Sequence, residues 1–128
     1  MSYHFTTTVD MDFDAAIEHA TAALKEKGFG VLTTIDVQKA MKEKIDKDIN
    51  PYTILGACNP SYAYKALQSE NKIGTMLPCN VVVQKREDGK IEISAVDPAA
   101  SMSAIDNPTL GSVAGEVRDM LKDMIAAL

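Results

Sequence analysis

The chain has no tryptophan, two cysteines and two histidines, and aromatic residues make up only 5% of it. A core drawn from such a composition has to be aliphatic. Two cysteines are too few for the disulfide framework of a small secreted domain. A chain of 128 residues buries roughly two-thirds of its unfolded surface, so it needs no covalent staple. His4 and His19 stand apart from any acidic or cysteine motif, which excludes a zinc site of the finger or protease type. A basic block is also missing: 13 Lys and Arg face 18 Asp and Glu, for a net charge of −5. That balance argues against a nucleic-acid partner. No stretch approaches the ~18 apolar residues of a membrane span, and the start Met1-Ser2-Tyr3-His4-Phe5 runs into threonines, not into a signal-peptide core. The expectation is a cytoplasmic protein with no membrane partner. Phosphate-binding loops, the dinucleotide glycine fingerprint and the Gly-x-Ser-x-Gly elbow are all lacking.

What remains is an ordinary folded composition, 46% hydrophobic and 24% charged, on a length that predicts a single domain, 1–128. Residues 3–9 read as a strand with Tyr3, Phe5, Thr7 and Val9 on one face. Asp12 is placed to cap a helix over 12–27, whose stripe is Phe13, Ile17, Ala20 and Leu24. Lys25-Glu26-Lys27-Gly28 closes it, and His19 falls on its outer side. Phe29 to Ile35 predicts a second strand, beside the first or antiparallel to it. Val37, Met41 and Ile45 mark a short, highly charged helix running to residue 48, with Glu43 and Lys47 as an (i, i+4) pair. Pro51 opens a third strand, Tyr52 to Ala57. Asn59-Pro60 reads as a cap followed by proline at the first helical position, starting a helix over 60–70. Asn80–Lys85 and Lys90–Val96 flank Glu87-Asp88-Gly89 as a hairpin with one wet face. Asp97-Pro98 and Asn107-Pro108 repeat the start signal, the second for a helix to about 127 with Leu110, Val113, Val117, Leu121, Met124 and Leu128 in its stripe.

This order predicts an α+β, two-layer domain: a curved, mainly antiparallel sheet with helices packed on one face. Such layering leaves the other face bare, which motivates a two-fold homodimer.

One constellation carries chemistry. Leu55-Gly56-Ala57-Cys58-Asn59-Pro60 and Leu77-Pro78-Cys79-Asn80 are two Cys-Asn steps, each beside a proline at a strand end. A thiol just before a helix start feels the positive end of the dipole, and Gly56 leaves room for the close approach of a backbone or ligand. Cys58, Asn59, Cys79 and Asn80 are therefore the candidate ligand-binding residues. Two cysteines fall short of a complete metal site, and no third ligand is visible in the sequence. The seven methionines read as core packing. The competing plain reading is that free cysteine is among the most buried residue types and that Asn before Pro is simply a good cap.

The runs Tyr52–Pro60 and Ile73–Asn80, with Val96-Asp97-Pro98, resemble an uncharacterised bacterial and archaeal family, domain of unknown function 302. The similarity extends over nearly the whole chain, including Asn107-Pro108 and the final helix. It implies an α+β domain similar to one half of the TATA-binding-protein fold, without DNA binding. The family has no established activity, so no catalytic residues or cofactor carry over. Its motif cysteines fall on Cys58 and Cys79, and its motif asparagines on Asn59 and Asn80. Three readings stay open: a module binding a small molecule or anion, walled by the Cys-Asn ends and residues 98–107; a thiol-dependent enzyme or redox protein using Cys58; and a structural domain with buried cysteines.

Overall fold

The computed structural model describes residues 2–128, and Met1 lies outside them. The elements in chain order are β1 (His4–Val9), α1 (Phe13–Glu26), β2 (Gly30–Asp36), α2 (Val37–Ile45), β3 (Tyr52–Cys58), α3 (Pro60–Ser69), a 3-10 turn (Ile73–Met76), β4 (Cys79–Lys85), β5 (Ile91–Val96), α4 (Pro98–Ser101) and α5 (Pro108–Ala127). The five strands form one antiparallel sheet in the order β1-β5-β4-β3-β2. This is the α+β, one-sided layering that the sequence predicts.

Strand order departs from the sequence reading in one respect. β1 and β2 lie at opposite edges of the sheet and do not meet. A 14-residue helix separates them. β1 instead pairs with β5, with Thr7 opposite Ile93. The pattern of each strand records only which side faces the core, and both strands satisfy that from either edge.

Alternation along the strands builds the core. Leu55, Ala57, Val81, Val83, Ile91, Ile93 and Ala95 point to the helical side and are buried. Over them lie Ala16, Ala20 and Leu24 of α1 and the long stripe of α5: Leu110, Val113, Ala114, Val117, Leu121, Met124 and Ile125. Burying each large aliphatic chain contributes about 1.5–3 kcal/mol. Leu128, counted in that stripe, is only half-buried. α2 buries no residue. It ends at Ile45, because Asp46 adopts the left-handed conformation at φ 54. Lys47 is thereby removed from the helix, and the expected Glu43–Lys47 pair is replaced by Lys39–Glu43 at 3.9 Å and Lys42–Asp46 at 2.8 Å. His19 is half-buried rather than exposed, with Nε2 3.4 Å from the Leu128 carbonyl oxygen.

The bare sheet face is largely polar. Thr6 and Ser94, cross-strand partners, share a hydroxyl hydrogen bond of 2.8 Å. A shallow hollow of about 400 Å³ there is lined by Tyr3, His4, Tyr52, Asn80, Gln84, Glu92 and Ser94, among others. Such a surface tolerates water, so the argument that motivates a homodimer, burial of an apolar face, loses its force.

Caps fix the ends of the elements. Asp12, Asp36 and Asn107 each accept a hydrogen bond from the backbone N–H three residues on, at 2.8–3.1 Å. Asp97, itself buried, accepts from the N–H groups of Ala99 and Ala100 and pairs with Arg118 at 3.2 Å. At the end of α1, the N–H of Gly28 donates to Lys25 and that of Phe29 to Leu24. Gly28 holds φ +86, which completes a Schellman closure.

Of the glycines, Gly56 has the least room for a side chain. A β-carbon there would lie 2.5 Å from Thr33 Cγ2 and 2.9 Å from the Pro78 ring. Gly56→Ala is expected to lower stability by about 1–3 kcal/mol, read as a lower urea midpoint. Adding Thr33→Ser, which removes the nearer methyl group, recovers part of that loss. A Gly56→Ala midpoint equal to wild type would show that the strands part without strain.

Candidate functional site

The close approach at Gly56 sets the geometry of the two Cys-Asn steps. Ala57 sits opposite Cys79 in the β3–β4 ladder, so Cys58 is one residue beyond the cross-strand partner of Cys79. Both cysteines are free. Cys79 faces the core and is buried, whereas Cys58 ends β3 half-exposed.

Both thiols line a cavity of about 340 Å³. Its floor is the end of the sheet, with Ala57, Leu77 and Pro78. One wall is α3, with Tyr62, Ala63, Ala66 and Leu67. The other is Pro98 and Met102 with Leu110, Val113, Ala114 and Val117 of α5. Leu32, at the irregularity of β2 between Val31 and Thr33, lies at the cavity and is 71% exposed. The lining is almost wholly apolar, and no His, Asp, Glu, Lys or Arg belongs to it.

The four candidate residues divide. Cys58, Asn59 and Cys79 share the cavity, whereas Asn80 belongs to the hollow on the opposite sheet face. Period-two alternation in a strand requires this, since neighbours such as Cys79 and Asn80 point to opposite sides. Asn59 occupies the cap position of α3 but makes no capping bond. Its Nδ2 donates instead to the Lys27 carbonyl, 3.4 Å away. Gly28 leaves space for that amide, because a β-carbon there would stand 3.3 Å from it. Asn59 thus ties the end of α1 to the start of α3.

Of the segment 98–107, Pro98 and Met102 reach the cavity. Met102 is buried, and its carbonyl accepts from the Ile105 N–H at 3.0 Å. Sequence reasoning did not assign α5 to the site. Leu110, Val113, Ala114 and Val117 belong to a stripe that reads as core, and it is core along the rest of its length.

Among the described residues no group of three His, Cys, Asp or Glu is arranged to hold a metal ion, and no helix is long and apolar enough to cross a membrane.

An open antiparallel sheet, helices on one face and an apolar cavity at the sheet end define a small α+β domain with a pre-formed pocket. The model of domain of unknown function DUF302 matches residues 5–128. The chain belongs to that family. Its fold is similar to the crystal structure of the uncharacterised conserved protein DUF302 from Bacillus stearothermophilus, with a TM-score of 0.91, 28% identity, and 98% of each chain covered. An uncharacterised protein of Aquifex aeolicus (strain VF5) is 28% identical over 75 residues, which is 59% of this chain and 46% of that relative.

Burial pushes the Cys79 thiol up from its ordinary 9.0 to about 11, with the neighbouring Cys58 charge adding to the effect. The thiol is therefore neutral at pH 7. Because the folded state holds this proton more tightly than the unfolded chain, the effect on stability is nil below about pH 9. Stability then falls as pH rises towards 11, by up to about 3 kcal/mol. Cys79→Ala is expected to flatten this alkaline loss in urea melts taken at pH 8 to 11. A variant that loses stability over that range as wild type does would place the titration elsewhere.

Proposed function

We propose that this domain binds a small, neutral, apolar molecule in the cavity between the sheet end, α3 and α5. The observation that carries the reading is the lining itself: a pre-formed space of about 340 Å³, at the lower end of the usual range for ligand pockets. The polar groups at its edge are few. They are the two thiols, the Asn59 amide and the Tyr62 side chain. Such groups orient a ligand, while the aliphatic walls supply the affinity through water displaced from apolar surface.

An anion fits less well. The Asn59 amide is engaged by Lys27, Asn80 stands on the other face, and the chain is net acidic. The thiol-enzyme reading lacks a partner for Cys58, since no acid or base belongs to the cavity lining. Binding is the simpler use of this space.

Ala63 is half-buried on the α3 wall, so Ala63→Phe fills the space without entering the packed core. Titration with N-phenyl-1-naphthylamine, a neutral probe that fluoresces in apolar surroundings, is expected to saturate at one site on wild type. On Ala63→Phe, with unchanged circular dichroism, the signal should be lost. A flat wild-type titration, or equal binding by the two proteins, would overturn the reading.

A further inference from the structure

Three sulfur-bearing residues line one cavity. Cys79 opposes Ala57 in the β3–β4 ladder, Cys58 is the next residue at the end of β3, and both cysteines line the cavity. Met102, buried at the end of α4, lines the same cavity. Neither thiol is bridged. We propose that Cys58, Cys79 and Met102 form a binding site for a monovalent soft metal ion, of which Cu(I) is the biological case.

The ligand chemistry selects the ion. Two thiolates and a thioether are soft donors, which favour Cu(I) over the harder divalent ions. Zn²⁺ takes four ligands in a structural site, so two thiolates would need two further cysteine, histidine or carboxylate ligands to complete the set, and the chain has no third cysteine. The cavity lining offers no His, Asp or Glu. Cu(I) is satisfied by two or three sulfurs. An apolar surround also suits it, because exclusion of water and hard oxygen donors disfavours the divalent state.

The binding step balances without a redox partner. Cu⁺ forms one bond to each cysteine sulfur, the two S–H bonds break, and both protons leave to solvent. Copper remains monovalent, and the Met102 thioether donates a lone pair without losing a proton. The resulting bis-thiolate carries one net negative charge. Cys58 stands two residues before Pro60, at the start of a helix whose cap side chain is turned away to Lys27. A negative charge just before a helix start is favoured by the positive end of the helix dipole.

This site goes beyond the apolar-ligand reading and is separable from it. Reduced full-length protein would be titrated anaerobically with Cu(I) against the chromogenic chelator bathocuproine disulfonate. The expected result is withdrawal of one Cu(I) per chain from the chelator, with no competition from an excess of Zn²⁺. Cys58→Ser and Cys79→Ser should each lose this competition. Met102→Leu, which conserves volume, should weaken it without abolishing it. Copper X-ray absorption should report sulfur-only coordination in wild type, with one fewer sulfur in Met102→Leu. Circular dichroism and N-phenyl-1-naphthylamine binding on each variant separate loss of metal ligation from loss of fold or of the cavity. The proposal is overturned if wild type fails to compete, if the Cys58→Ser/Cys79→Ser double variant competes as wild type does, or if one copper is shared by two chains.

Discussion

The absence of a side chain at Gly56 is the constraint on which this end of the molecule depends. Thr33 from β2 and the Pro78 ring before β4 both close over that position, at distances that no β-carbon could share. Closing there brings three consecutive strands of the sheet into tight contact. It delivers Cys58 and Cys79 to one corner and leaves the Asn59-Pro60 helix start just beyond. The cavity lies where the sheet end meets α3 and α5. Small residues such as Ala57, Ala63, Ala66 and Ala114 line the gap where larger ones would have filled it.

Most of the elements are legible in the chain because each is punctuated by its own chemistry. Asp12, Asp97-Pro98 and Asn107-Pro108 mark starts, and Gly28 marks a stop. The structure places these boundaries within a residue or two of the reading. The one-sided sheet follows from alternation such as Ile91, Ile93 and Ala95 against Glu92 and Ser94. What the chain conceals is long-range. Nothing local tells β1 to pair with a strand some 90 residues later. Asp46 in the left-handed conformation ends α2 early, although aspartate carries no signal as strong as glycine for that step.

The candidate site was legible by half. Its cysteines announce themselves by their paired motifs, and Asn59 by the following proline. The separation of Asn80 from Cys79 could have been read from strand periodicity alone. The diversion of Asn59 from capping could not, because it depends on Gly28 of another element standing next to it. Met102 and the α5 wall were hidden for a different reason. An aliphatic or thioether side chain looks the same in sequence whether it packs against a neighbour or faces an empty space.

The strand order also governs how the chain can assemble. β2, β3, β4 and β5 pair in sequence order, each with its chain neighbour, so the central meander can form from local contacts as the polypeptide emerges. β1 has no partner until Ile91–Val96 exists. In a chain made from its N-terminus, the first strand synthesised is therefore the last admitted to the sheet. Until it docks, β5 presents an open edge carrying Ile91, Ile93 and Ala95, the kind of edge on which misdirected pairing begins.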